Sequence, residues 1–147
     1  MAQSKDDALG LAVAKSMHAQ EGTSKAWDLK LEDAGAGWAR ASMVLREDMM
    51  NGHGTAHGGM IFSLADTAFA WACNSRNITT VAQQASISFL SPGKLGEKLI
   101  ADAREEAVAG RTGVYKVIVT GEDDRVIAIF SGLSRAIGGG IIDQEGN

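Results

Sequence analysis

The sequence contains one cysteine, Cys73, and one proline, Pro92, and it lacks a long uninterrupted hydrophobic run. A single cysteine cannot form an intrachain disulfide, so a disulfide framework is excluded and a reducing, cytoplasmic compartment is predicted. The longest apolar stretch covers residues 64–73 and includes Asp66 and Thr67. It is too short and too polar to span a membrane.

Positive charge is also scarce, because the net charge is -4 and no stripe of basic residues is present. Nucleic-acid binding is therefore not expected. An apolar patch at residues 8–14 is similar to a signal-peptide core, but Asp6 and Asp7 precede it where a signal peptide carries positive charge, so export is not predicted. With 147 residues, 45% hydrophobic and 22% charged, the chain is predicted to be one globular domain, small enough to benefit from oligomerisation.

The periodicity of apolar residues predicts a helix, two strands, one long helix and four further strands. The helices are expected at residues 6–20 and 58–75, and the strands at 26–31, 38–45, 81–90, 98–109, 114–121 and 125–137. Residues 33–37 are predicted to form a turn, and residues 138–147 a mobile tail. This segregation of helix and strand favours an α+β fold with an antiparallel sheet, whose uncovered face or edge needs a second subunit.

The long helix is apolar almost all round and is therefore predicted to be buried. Its polar residues lie along one side, together with two small residues that leave space there: Ser63, Asp66, Thr67, Asn74, Gly59 and Ala70. A buried carboxylate must be hydrogen-bonded, paired or protonated. Asp66 is therefore either a structural group bonded by its neighbours or a desolvated base or nucleophile beside a substrate.

The loop before this helix ends in His57, Gly58 and Gly59. The first amides of a helix are unpaired and carry the positive end of the helix dipole, so glycines here can form an oxyanion hole. The alternative is an ordinary helix start in which glycine only permits a tight entry. His53 and His57 have poor spacing for zinc, and no metal site is predicted.

Residues 51–74, which read NGHGTAHGGMIFSLADTAFAWACN, closely resemble the signature of the phenylacetic-acid-degradation thioesterases of the hotdog superfamily. The turns at residues 91–93 and 110–113 extend the resemblance over about residues 10–137. It implies an α+β hotdog fold, in which a curved antiparallel sheet of about six strands wraps around one long central helix. It also implies hydrolysis of acyl-coenzyme A thioesters, often aromatic ones such as phenylacetyl- or hydroxyphenylacetyl-coenzyme A, in phenylacetate catabolism. Family members form homodimers with shared active sites, and two dimers form a tetramer.

The resemblance also implies roles for individual residues. The catalytic acid corresponds to Asp66, the oxyanion-hole amide to Gly58 with Gly59 beside it, the active-site histidine to His57, and the loop amide to Asn51. Some relatives carry a water-holding threonine four residues after the acid, but Ala70 stands here, so that role is not transferred. Thr67 is nearby without being equivalent and is predicted to line the substrate site. No cofactor is expected, because coenzyme A is part of the substrate.

The phosphates of coenzyme A call for cationic groups along the path of the substrate. Arg111, in the turn with Thr112 and Gly113, is the first choice, followed by Lys94 and Arg76. Two alternative functions remain open from the sequence. One is a hotdog dehydratase or hydratase acting on acyl thioesters, and the other is a non-catalytic acyl-coenzyme A binding module, for which a carboxylate on the helix would have no use.

Overall fold

The computed structural model describes residues 3–143, which form three α-helices and one six-stranded sheet. The helices are α1 (Lys5–Gln20), α2 (Gly22–Ala26) and α3 (Gly58–Cys73). The strands are β1 (Lys30–Gly35), β2 (Trp38–Val44), β3 (Thr80–Phe89), β4 (Lys98–Ala109), β5 (Thr112–Thr120) and β6 (Val126–Ala136). Short 3₁₀ turns occupy Glu47–Met49 and Glu122–Asp124.

All neighbouring strands are antiparallel, in the order β1-β2-β4-β5-β6-β3. Strand β3 follows α3 in the chain yet pairs with β6, so it forms one edge of the sheet, and β1 forms the other. The α+β class and the antiparallel sheet of six strands with helix α3 against it confirm the predicted hotdog architecture. Helix α1 is as long as α3, because each has 16 residues.

The first strand begins later than the sequence predicts. Residues 26–31 alternate in polarity, but α2 extends to Ala26 and β1 starts at Lys30. Between them Asp28 adopts a left-handed conformation (φ 54°), which a strand cannot continue through and which aspartate tolerates better than most residues. The turn predicted at residues 33–37 is correspondingly short, because β1 continues to Gly35 and β2 resumes at Trp38.

Helix α3 buries the face that points into the sheet. Its buried residues are Ile61, Leu64, Ala65, Ala68, Phe69, Trp71 and Ala72. They pack against inward-facing side chains of the strands, including Met43, Leu99, Val117 and Phe130. Asn74 ends the helix and is buried. Its side-chain amide is satisfied there, because its Nδ2 donates to the Ala70 carbonyl (2.9 Å) and its Oδ1 accepts the Thr80 amide (2.8 Å). Asn74 is thus a structural cap rather than part of a polar surface.

The two ends of the described chain are held by side-chain hydrogen bonds. Ser4 caps α1 by accepting the Asp7 amide at 3.0 Å. Asn77 fastens the first part of the predicted tail, because its Oδ1 accepts the amides of Ile141 (2.8 Å) and Ile142 (2.9 Å). The rest of that tail, residues 144–147, lies outside the described residues.

None of the helices within residues 3–143 has the length and apolarity needed to cross a bilayer. The cytoplasmic location stays a prediction.

Candidate active site

A cavity of about 370 Å³ opens at the start of α3. It is enclosed by the loop before the helix, the first helical turn and the end of β3 with the turn that follows. The lining residues are Asn51, Thr55, Ala56, Gly58, Ile61, Phe89, Leu90, Ser91 and Pro92. Two of the predicted site residues, Asn51 and Gly58, therefore meet in one concave space.

The amide of Gly58 is free to donate, whereas the amide of Gly59 is not. His57 caps the helix, and its Nδ1 accepts the Gly59 N–H at 2.9 Å, which places the ring proton on Nε2. The Gly58 N–H has no acceptor in residues 3–143. The structure thus leaves one amide for a carbonyl instead of the two expected, and it gives His57 the role of holding the helix start.

The ring of Phe89 lies directly over Gly58. A Cβ built on Gly58 would be 3.0 Å from Phe89 Cζ, so glycine is what lets the ring and a ligand approach this amide. Phe89 is 52% exposed although it is large and apolar. Neither Phe89 nor its neighbour Leu90, which is exposed to 60%, was predicted from the sequence as a site residue. The available signal was an apolar pair at the end of a strand, immediately before the proline turn.

Asn51 holds the loop that leads to the helix. Its Oδ1 accepts the amides of His53 (2.9 Å) and Thr55 (3.1 Å), and its Nδ2 donates to Thr55 Oγ1 (3.0 Å). These three bonds fix the orientation of the side-chain amide and leave one N–H of Nδ2 for another acceptor. Further along, the Ala56 amide donates to the Gly93 carbonyl at 2.9 Å, which ties the loop to the turn after β3.

Asp66 lies on the half-buried side of α3, away from the sheet. Its carboxylate has no hydrogen bond or ion pair within residues 3–143. The nearby hydroxyls donate to backbone carbonyls of α3 and not to Asp66. Ser63 Oγ donates to the Gly59 carbonyl (2.9 Å), and Thr67 Oγ1 donates to the Ser63 carbonyl (2.7 Å). Burial raises the pKa of Asp66 above its ordinary value. A desolvated, unpartnered acid is the form that a base or nucleophile takes.

Gly58 and Asp66 of one chain are too far apart to contact the same group. Eight residues of α-helix separate them, which is a rise of about 12 Å. Thr67, predicted to line the substrate site, follows Asp66 and is one residue further along the helix from Gly58. The free amide and the free carboxylate therefore belong to different local surfaces of a single chain.

Apart from Lys94, which is exposed in the turn after β3, the remaining predicted residues line a second cavity, of about 100 Å³, at the opposite end of α3. Arg111, Thr112 and Gly113 line it together with Cys73 and Arg76. The 16 residues of α3 place this cavity roughly 24 Å from the first one. Within one chain the structure therefore does not bring the residues 111–113 to Gly58.

The two arginines at this second cavity differ in availability. Arg76 is paired with Glu105 at 2.6 Å, and Glu105 also accepts the hydroxyl of Tyr115 at 2.9 Å. The Arg111 side chain is exposed and has no such partner among the residues described. Arg111 is thus free to bind an anion. Cys73 offers no thiolate here, since burial raises its pKa to about 12.

The family follows from a comparison with known proteins. Residues 53–128 match the model of the thioesterase superfamily. The chain belongs to that superfamily. This confirms the predicted family and the prediction that the protein is a thioesterase. The matched region contains Gly58, Asp66 and every residue that lines the cavity except Asn51.

Several relatives of this thioesterase resemble it over most of its length. It is 39% identical to acyl-coenzyme A thioesterase PaaI of Escherichia coli over 131 residues, which cover 89% of this chain and 94% of that protein. The solved structure of E. coli PaaI, from the phenylacetic acid degradation operon, has a TM-score of 0.90, covering 92% of this chain and 99% of that one at 36% identity. A Streptococcus mutans protein bound to acetyl coenzyme A has a TM-score of 0.73 at 28% identity, covering 76% of this chain and 90% of that one.

Proposed function

We propose that this thioesterase hydrolyses acyl-coenzyme A thioesters with aromatic acyl groups, such as phenylacetyl or hydroxyphenylacetyl, in phenylacetate catabolism. The observation that carries the proposal is a free helix-start amide, Gly58, opening into a cavity with apolar walls from Ile61, Phe89, Leu90 and Pro92. Flat apolar walls favour an aromatic acyl group. The similarity to E. coli PaaI supports the same substrate class.

We infer that each working site combines Gly58 of one subunit with Asp66 of the partner subunit. Strand β3 supports this, because it is a sheet edge that carries exposed apolar residues such as Val81 (45%) and Phe89 (52%). An open edge of this kind is a template for pairing with a second strand. Two-fold pairing of β3 with its copy would run antiparallel and continue the sheet through a homodimer. Assembly of two such dimers into a tetramer remains a prediction.

The same pairing would bring the two kinds of cavity together. Strand β3 starts at Thr80, which lines the second cavity, and ends at Phe89, which lines the first. Antiparallel pairing of two β3 strands would therefore set the second cavity of one subunit beside the first cavity of the other. Arg111 would then be available to the phosphates of coenzyme A while the thioester lies at Gly58.

In this arrangement the thioester carbonyl accepts the Gly58 N–H at the positive end of α3, which stabilises the negative charge of the tetrahedral intermediate. Asp66 of the partner subunit either takes a proton from an attacking water or attacks the carbonyl carbon itself, giving a mixed anhydride that water hydrolyses. A new carbon–oxygen bond forms, the carbon–sulfur bond breaks, and coenzyme A leaves as its thiol after protonation. The uncommitted N–H of Asn51 positions the water, and His57 fixes the amide.

The acyl preference is tested with a panel of acyl-coenzyme A substrates. We expect kcat/KM for phenylacetyl-coenzyme A to exceed that for butyryl-coenzyme A by about tenfold or more, because the aromatic ring fills the apolar walls. Release of free thiol, followed with a chromogenic reagent, gives both values. A preference for the aliphatic substrate would contradict the aromatic assignment without affecting the thioesterase activity itself.

Activity is expected to fall on acidification, because Asp66 must be ionised to act as base or nucleophile. Burial raises the pKa of Asp66, so kcat should decline as pH falls through a value above the ordinary 3.8 of aspartate. The measurement is kcat against pH at saturating substrate, with folding checked at each pH. A flat profile down to pH 3.8 would show that Asp66 is not the titrating group.

A further inference from the structure

An ion pair between buried Glu97 and half-buried Arg125 lies directly behind one wall of the cavity at Gly58. Glu97 is only 1% exposed, and its carboxylate accepts the Lys94 amide (2.9 Å), the Glu122 amide (2.7 Å) and the Arg125 guanidinium (2.9 Å). Burial opposes ionisation, yet the two amides and Arg125 together hold the pKa of Glu97 below its ordinary value. Glu97 is therefore a charged anchor inside the protein.

The guanidinium that Glu97 holds also binds the cavity wall. Arg125 Nη2 donates to the Pro92 carbonyl at 2.8 Å, and Arg125 Nε lies 3.3 Å from Ser91 Oγ. Ser91 Oγ in turn donates to the Val126 carbonyl at 2.7 Å. Ser91 and Pro92 both line the cavity. One planar cation thus joins a buried acid to two residues of the wall.

The turn fastened in this way is packed tightly on its inner side as well. A Cβ on Gly93 would lie 2.8 Å from Leu45 Cδ1 and 3.0 Å from Ala56 Cβ. The Gly93 carbonyl accepts the Ala56 amide, two residues before Gly58. A displacement of the turn is therefore transmitted both to the cavity wall and to the loop that carries the free amide.

We propose that Arg125, held in place by Glu97, is a positioning residue that fixes residues 91–93 as a wall of the cavity and so determines which acyl groups the site accepts. An ion pair that buries a charge often adds little to net stability, so we explain the contact of this pair with the cavity wall by the geometry that it imposes. Arg125 reaches Ser91 through Nε, and Pro92 and Glu97 through Nη2. Lysine has a single nitrogen and cannot reproduce donors fixed at two positions of a planar group. The inference rests on the proposed function only in treating this cavity as the acyl site.

The test is Arg125→Lys, which keeps a positive charge beside Glu97 but replaces the planar guanidinium with an ammonium group. We expect the ratio of kcat/KM between phenylacetyl- and butyryl-coenzyme A to change about tenfold, mostly through KM, because a wall moved by a fraction of an ångström alters the fit of the larger group. The matched control is Arg40→Lys. In the wild type Arg40 forms an ion pair with Asp102 at 3.2 Å on the outer face of the sheet. That control should leave the ratio unchanged.

If Arg125 had a purely structural role, Arg125→Lys would lower the melting temperature and reduce kcat/KM equally for both substrates. An unchanged ratio of the two kcat/KM values in a folded Arg125→Lys variant would overturn the proposal. Ser91→Ala, which removes one contact of Arg125, is the milder second variant and should shift the ratio in the same direction. If the wild type shows no aromatic preference, that part of the proposed function fails, while the change in ratio between any two acyl groups still decides the positioning role.

Discussion

Asp66→Asn is expected to lower kcat by about 10³-fold, because an amide can neither take a proton from water nor attack a carbonyl. The substitution preserves the shape of the side chain, and no hydrogen bond of the carboxylate is lost within residues 3–143. The measurement is the release of free thiol from phenylacetyl-coenzyme A under saturating conditions. Asp102→Asn, on the outer face of the sheet and paired with Arg40 and Arg104, is the matched control and should keep its turnover.

The thermal stability of the Asp66→Asn variant shows whether lower activity comes from the missing carboxylate or from unfolding. Burial raises the folded-state pKa of Asp66 above its unfolded value, so its contribution to stability is present below the unfolded pKa and is lost as pH rises through the folded pKa. At pH 7 the ionised carboxylate therefore disfavours folding, and Asp66→Asn should melt at a higher temperature than the wild type. Turnover close to that of the wild type in this variant would rule out Asp66 as the catalytic acid.

Gly58→Pro is expected to lower kcat by about 10² to 10³-fold, because proline removes the N–H that we propose stabilises the intermediate. The first position of a helix tolerates proline, and Gly58 is that position in α3. His57 already has an extended conformation (φ -63°, ψ 134°), which is compatible with a following proline. Proline should therefore remove the Gly58 N–H and leave helix α3 intact. Circular dichroism checks that the helix content is retained.

Gly58→Ala is the control for the added bulk. It keeps the N–H and adds a Cβ that would meet Phe89 Cζ at 3.0 Å, a contact that the half-exposed ring can relieve by moving. We expect alanine to reduce kcat far less than proline. Equal losses in the two variants would mean that bulk at this position, and not the missing donor, is responsible.

Local features of this site could be predicted from the sequence. The buried helix, its start at Gly58 and the acid at position 66 follow from patterns within a few residues, and the structure places all three as expected. The occupied amide of Gly59 could not be predicted, because it depends on the rotamer of His57. Asp28 misled the strand assignment for a similar reason, since its left-handed backbone is not visible in an alternating pattern.

Contacts between segments that lie far apart in the chain could not be predicted from the sequence. Phe89 reaches Gly58 only because β3 crosses to the edge of the sheet, and Arg125 reaches Pro92 and Glu97 across about 30 residues of chain. The separation of Gly58 from Asp66 along α3 was implicit in the helical rise, and it is the reason that we propose a site built from two subunits.

Mixing two inactive variants tests most directly whether the site is shared between subunits. Asp66→Asn and Gly58→Pro chains, unfolded together and refolded at equal amounts, form half mixed dimers by random assortment. Each mixed dimer has one site with both Gly58 and Asp66 intact, so the mixture should recover about a quarter of wild-type turnover. Mass-tagged chains verify that mixed dimers have formed. Turnover no higher than that of either variant alone, in the presence of verified mixed dimers, would contradict a site built from two copies of the chain.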